Sequence, residues 1–217
     1  MKILVLRPQP GADETAARAR AMALEPVVAP LFDIHPLAWT PPDPAAFDAV
    51  LLTSSNAARH GGEGLAALLA LPCLAVGDAT AAAARASGFA EVRTGPSDGA
   101  AALAMAHGNG ARRILHLCGH DRIALAGITQ IPVYSAEPAG ALPAGFETML
   151  ALLHSPRAAM RFAALVGERR GAVRIAAISD QTAQVAGDGW RSLDVAAAPR
   201  DQALLELAGK LCHTESE

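Results

Sequence analysis

Short apolar runs recur along the chain at residues 3–6, 49–52, 73–76, 114–117, 150–153 and 175–178, with alanine-rich stretches between them. Each run breaks into small polar residues: Arg7-Pro8, Thr53-Ser54-Ser55-Asn56, Gly77-Asp78-Ala79-Thr80, Cys118-Gly119, His154-Ser155-Pro156 and Ser179-Asp180. Four-residue apolar runs bounded by turn formers predict buried strands. The polar residues behind them predict helix N-caps, since a short side-chain oxygen can accept from an unpaired first-turn N–H. Strand and helix in alternation predict right-handed βαβ units on parallel sheets.

The pattern repeats within the chain. Ser54-Ser55-Asn56-Ala57 aligns with Ser155-Pro156-Arg157-Ala158 at an offset of 101, and Gly88-Phe89 with Gly189-Trp190 at the same offset. Gly77-Asp78-Ala79-Thr80-Ala81 aligns with Ser179-Asp180-Gln181-Thr182-Ala183 at 102, and Pro96-Ser97-Asp98 with Pro199-Arg200-Asp201 at 103. Upstream, Lys2-Ile3-Leu4 aligns with Arg113-Ile114-Leu115 at 111. A near-constant offset predicts two similar α/β units in tandem. Two proline-marked stretches, 26–44 and 131–143, read as extended connectors, because proline ends helices and biases its predecessor toward extended backbone. Two crossings predict a discontinuous first domain (residues 1–36 plus 134–217), a second at 44–130, and connectors at 37–43 and 131–133.

Composition narrows the function. Hydrophobic residues make up 52% and aromatics only 4%, so the cores must be built from small aliphatic side chains. Eighteen basic against 21 acidic residues give a net charge of -3, which supplies no bulk positive field for nucleic acid or an anionic membrane. The longest membrane-span candidate, 64–77, is interrupted by Pro72, and the first apolar run meets Arg7 and Pro8 at once, unlike a secretory leader. Three scattered cysteines (Cys73, Cys118 and Cys212) fit a reducing compartment, so the expected location is the cytoplasm.

In an open parallel sheet, ligands bind at the carboxyl ends of the strands. Helices starting there present unpaired N–H groups and a positive dipole end, which suits anions. Thr53, Ser54, Gly77, Thr80, Gly119 and Ser155 are therefore candidate donors or close-approach points, although ordinary N-capping accounts for any single turn. Arg7, Arg59, Arg122 and Arg157 stand in or near the turns, and arginine matches a carboxylate fork. A solvated helix face accounts best for Arg59 and least for Arg7, which directly follows a strand. Tyr134 is the only tyrosine, and it interrupts the repeat where the other connector carries Val27-Val28. A phenol with a pKa near 10 is protonated at neutral pH and can act as a general acid; an aromatic plug with a bonded hydroxyl is the competing reading. His116, Cys118 and His120 are three possible metal ligands without a second cluster to complete a tetrahedron. Neither a glycine-rich nucleotide fingerprint nor a nucleophile elbow is present, so no metal and no cofactor is expected.

Taken in order, these residues resemble the uroporphyrinogen-III synthase family. The resemblance runs through Leu4-Val5-Leu6-Arg7-Pro8, Pro26-Val27-Val28-Ala29-Pro30-Leu31, Leu52-Thr53-Ser54-Ser55-Asn56-Ala57 and Ala75-Val76-Gly77-Asp78-Ala79-Thr80-Ala81. It continues through Gly119 with Arg122, Val133-Tyr134, Ser155-Pro156-Arg157, and Ile178 with Thr182-Ala183. The resemblance implies two flavodoxin-like, pseudo-repeated parallel-sheet lobes joined by a two-stranded connector, with the active site in the cleft between them. It implies a linear tetrapyrrole substrate, hydroxymethylbilane, with hand-over from hydroxymethylbilane synthase, and a monomeric enzyme that loses water as it closes the ring. Tyr134 matches the family's candidate acid, and Thr80, Ser155 and Thr182 match positions that bond substrate side chains. One departure stands out: the family's Ile-Gly before the last turn is Ile178-Ser179-Asp180 here, and Asp180 either adds a negative charge near an expected carboxylate site or caps the helix. A non-catalytic tetrapyrrole- or anion-binding module on the same scaffold is the alternative.

Overall fold

A computed structural model describes residues 1–95, 99–122 and 124–213. The aligned Pro96-Ser97-Asp98 therefore lies outside the described residues. The strands are β1 (Lys2–Val5), β2 (Glu25–Val28), β3 (Phe32–Pro36), β4 (Ala49–Leu52), β5 (Cys73–Val76), β6 (Val92–Gly95), β7 (Ile114–Gly119), β8 (Thr129–Pro138), β9 (Leu150–Leu153), β10 (Arg174–Ala177) and β11 (Ser192–Val195). The helices are α1 (Gly11–Ala21), α2 (Ser55–His60), α3 (Asp78–Ala86), α4 (Gly99–Gly108), α5 (Pro156–Val166), α6 (Asp180–Ala186) and α7 (Asp201–His213).

The chain divides into two compact units, 1–33 with 138–217 and 34–137. In the first, a parallel sheet runs β2-β1-β9-β10-β11. In the second, β8-β7-β4-β5-β6 run in the same spatial order and parallel, with β3 added outside β8. Read from β1, the first order is 2-1-3-4-5, that of a flavodoxin-like doubly wound sheet. The repeat is therefore topological: β4 and β9 stand 101 residues apart, as do β5 and β10. The second unit reaches the same order as a permutation, because β7 and β8 follow in sequence what β1 and β2 precede.

Alternate residues of each central strand serve opposite faces. In the first unit Ile3, Val5, Leu150 and Leu152 pack with Ala12, Ala19, Leu204 and Ala208 of α1 and α7. In the second, Val50, Leu52, Leu115 and Leu117 pack on Ala57, Ala58 and Ala84 of α2 and α3, while Leu51, Leu74 and Ile114 meet Ala102 and Ala106 of α4. Alanine on the helices lets each helix lie close to its sheet, so a core poor in aromatics still fills.

Strands β2, β6 and β11 carry no four-residue apolar run. Each ends its sheet or lies on its rim, where one side meets solvent and polar residues are tolerated. Pro26 sits in β2 at a sheet edge, where no ladder partner needs its missing N–H. The residues expected to be connectors also differ. Residues 131–133 lie inside β8, and 37–43 belong to the second unit, where Leu37 N–H donates to the Val133 carbonyl at 2.9 Å and Trp39 Nε1 to that of Gly61 at 2.8 Å. Pro132 lies within β8 opposite Cys118, beside the register shift of that ladder, and the chain crosses between units at 33/34 and 137/138.

Candidate active site

The order of a 2-1-3-4-5 sheet reverses between its first and third strands, and the crevice outside their carboxyl ends is the default ligand position. In the first unit that point lies between β1 and β9, where Arg7, His154 and Ser155 follow the strands. In the second it lies between β7 and β4, flanked by Gly119, Thr53 and Ser54.

The second unit's turns are shaped around this point. Ser54 caps α2, accepting from the Asn56 N–H at 3.2 Å. Thr53 Oγ1 stands 2.9 Å from His116 Nε2. Gly77 takes φ +75° before α3, a left-handed conformation that favours glycine, and no side chain caps that helix. Thr80 is buried in the first turn of α3. At the end of β7 the ladder shifts register between Cys118 and Gly119, so that Gly119 lies opposite Tyr134 and His120 N–H donates to the Tyr134 carbonyl at 2.8 Å. The Tyr134 ring then covers Gly119: a Cβ there would come within 2.9 Å of Cζ and 3.0 Å of Oη. Such bulges re-aim side chains at the rim of a sheet. Arg122 is exposed and bonds the His120 carbonyl at 3.0 Å.

In the first unit, Ser155 caps α5, accepting from Ala158 N–H at 3.2 Å. Ser179 caps α6, accepting from Thr182 N–H at 3.3 Å, and its hydroxyl also meets Thr182 Oγ1 at 3.0 Å. The cap is thus Ser179 and not Asp180, which takes the next position as the first residue of α6. Arg7 does not point alone into the turn. Its guanidinium lies over Gly11, with Nη1 3.2 Å from Thr15 Oγ1 and 3.5 Å from Asp201 Oδ1. Asp201 also accepts from the Thr15 hydroxyl at 2.7 Å, Arg18 Nε at 2.8 Å and His154 Nε2 at 2.8 Å.

Burial opposes ionisation of Asp201, but the hydrogen bonds from His154, Thr15 and Arg18 outweigh it and hold the carboxyl far below the usual carboxylate range. Burial, with Arg7 adding, lowers the His154 pKa despite the adjacent carboxylate, and His154 Nδ1 makes no hydrogen bond of ordinary geometry among the described residues. Sequence reasoning missed His154 as a site residue and saw Asp201 only as a repeat partner; a histidine directly after an apolar run was the one available signal.

The His116-Cys118-His120 trio does not act together. His116 is bonded to Thr53 and Gln130, Cys118 Sγ donates to the Ile131 carbonyl at 3.4 Å, and exposed His120 faces Asp121. Burial pushes the Cys118 thiol up to about 11 and that of Cys73 up to about 12, so both stay protonated and are poor nucleophiles. A concavity of about 280 Å³ lined by Asp48, Cys73, Arg93 and Asn109 opens at the amino ends of the second unit's strands, opposite the candidate turns. Among the described residues no helix is long and apolar enough to cross a membrane, and no three His, Cys, Asp or Glu side chains gather as metal ligands.

A family model, Uroporphyrinogen-III synthase HemD, matches residues 13–206. The chain belongs to this family. That makes it an enzyme of tetrapyrrole synthesis. The fold agrees. The uroporphyrinogen-III synthetase of Helicobacter pylori 26695 superposes with a TM-score of 0.62 at 18% identity, covering 97% of this chain and 100% of that one. A mutant uroporphyrinogen III synthase of the extremely thermophilic bacterium Thermus thermophilus superposes at 0.57 with 14% identity, covering 99% and 100%. No curated protein matches the chain.

Proposed function

We propose that the chain closes hydroxymethylbilane into uroporphyrinogen III, inverting ring D and releasing water, as a cyclising hydro-lyase of haem biosynthesis. The observation that carries this reading is the synthase family match across residues 13–206. The turns support it. Each unit gathers hydroxyls and helix starts at the carboxyl ends of its strands, and a substrate with eight carboxylates needs many short, neutral donors.

The chemistry asks little of the protein beyond orientation and one proton. Tyr134 donates its phenolic proton to the terminal hydroxyl, the C–O bond breaks, water leaves, and the pyrrole nitrogen's electron pair stabilises the resulting azafulvene cation. The substituted carbon of ring D attacks, giving a spiro intermediate; that carbon's bond to its original methylene bridge then breaks, and ring D recloses inverted through its free α-carbon, whose proton restores the Tyr134 phenol. Unassisted closure gives the symmetric isomer, so the enzyme's contribution is to hold the conformer that favours the spiro route. Arg7, Thr53, Ser54, Gly77, Thr80, Gly119, Arg122, Ser155 and Thr182 serve binding in this scheme. We place the reaction in the cytoplasm, in a monomer supplied by hydroxymethylbilane synthase.

The test is incubation with freshly generated hydroxymethylbilane, oxidation of the products and isomer separation. The type III isomer should dominate. Only type I, at the spontaneous rate, overturns the reading and leaves the binding module, toward which the Ser179 bond to Thr182 points because it occupies that hydroxyl.

A further inference from the structure

The side chains of Gln130, His116 and Thr53 form a hydrogen-bonded line across β8, β7 and the end of β4, and its direction can be deduced. Gln130 lies directly across the ladder from His116. Its Oε1 accepts from the Leu125 backbone N–H at 3.2 Å, and since a backbone N–H can only donate, this settles which end of the amide is oxygen. The amide nitrogen therefore faces His116 Nδ1, at 3.0 Å, and donates to it. A ring nitrogen that accepts carries no proton, so the proton of the neutral imidazole sits on Nε2. Nε2–H then donates to Thr53 Oγ1 at 2.9 Å.

Burial, with Arg122 adding, pushes the His116 pKa down to about 4, so the ring is neutral under ordinary conditions. Thr53 is also held by its methyl, because Gly99, at the start of α4, leaves room for Cγ2 where a Cβ would sit at 3.2 Å. Its hydroxyl accepts from His116 and, among the described residues, makes no other hydrogen bond. The hydroxyl proton is thus left to point outward, at the topological switch point of the second unit.

We infer that Gln130 and His116 are positioning residues that fix Thr53 as an outward hydrogen-bond donor for an anionic oxygen of the substrate. This deepens the synthase reading and rests on it. Neither residue touches substrate; each acts through the next. A threonine hydroxyl facing a histidine acceptor would instead spend its proton inward and offer a carboxylate only lone pairs.

The experiment has two arms. In the first, nitrogen-15 NMR of the intact, unmodified chain reads the His116 tautomer. A pyridine-type Nδ1 with a protonated Nε2 is expected, and a protonated Nδ1 overturns the inference. In the second, Gln130→Glu reverses the first bond, since a carboxylate must accept from Nδ1–H and leaves Nε2 as an acceptor toward Thr53. With hydroxymethylbilane as the probe, Gln130→Glu and Thr53→Val should each raise KM about tenfold with little change in kcat, the size of one lost hydrogen bond to a charged group. The double variant should be no worse than either single one. A Gln130→Glu effect that persists in full on the Thr53→Val background overturns the relay. If the unmodified chain forms type III isomer but Nδ1 is protonated, only this inference falls; if no type III isomer forms, the functional reading falls and takes it along.

Discussion

The ring of Tyr134 lies so close against Gly119 that a Cβ at Gly119 would sit 2.9 Å from Cζ. The two are paired across β7 and β8 at a register shift, and the backbone of Gly119 does not adopt a left-handed conformation. The glycine is therefore required by the tyrosine rather than by its own turn. Gly119→Ala should leave the strand intact and push the ring away. We expect turnover to drop at least about tenfold, with a stability cost of about 1–3 kcal/mol for the overpacked contact. Isomer-resolved rates beside a thermal melt check this; an unchanged rate would detach the position of the Tyr134 ring from catalysis.

Tyr134→Phe keeps the ring over Gly119 and removes the proposed proton donor. General acid catalysis contributes roughly 10²–10⁴-fold, so kcat should fall within that range while the melting temperature changes little. Full activity in the phenylalanine variant would remove Tyr134 as the proton donor.

These contrasts show what the sequence carried and what it withheld. The central strands were legible because both faces are buried and an unbroken apolar run survives, as at residues 49–52 and 150–153. The edge strands β6 and β11 were not, since Arg93 and Asp194 interrupt their apolar pattern. Thr53, Gly77 and Tyr134 could be nominated from position alone, because strand ends and an unmatched aromatic are visible in one dimension. The partners that set their geometry were not visible. His116 reads in sequence as a weak metal ligand, and only the ladder reveals Gln130 beside it and Thr53 beyond it. Asp201 reaches His154 only after the chain has built α5, β10, α6 and β11 and returned.

Acid should loosen the protein before its carboxylates titrate. His116 has a folded pKa of about 4 against an unfolded value of 6.5, so between these the unfolded chain binds a proton that the native one refuses. Stability from this residue is full above pH 6.5 and declines as pH falls toward 4. His154, also lowered, adds in the same direction. By pH 5 the loss through His116 alone is about 2 kcal/mol. Urea midpoints at pH 7 and pH 5 test it, and a midpoint that stays constant or rises on acidification contradicts two buried neutral histidines.

The Asp201 cluster makes the opposite demand on charge. Its carboxylate accepts from His154, Thr15 and Arg18 and stands near Arg7, joining the first residue of α7 to α1 and to the end of β9. Its folded pKa is depressed, so its contribution is present above the unfolded carboxylate value and is lost only as pH falls below about 4. Asp201→Asn keeps the shape, but it removes the charge and sets an amide N–H against a donor in either orientation, facing Arg18 Nε at one oxygen's place or the Thr15 hydroxyl and His154 Nε2 at the other's. Only 15% of the side chain is exposed, so solvent can replace little of what is lost. We expect a cost of about 3 kcal/mol, the lower end for breaking a buried pair from one side. Because Arg7 then loses its carboxylate neighbour, the same variant should also weaken hydroxymethylbilane binding at the first unit's switch point. Denaturant unfolding and KM measured on one preparation separate the two effects. A stable variant with an unchanged KM would show that Arg7 needs no anchor.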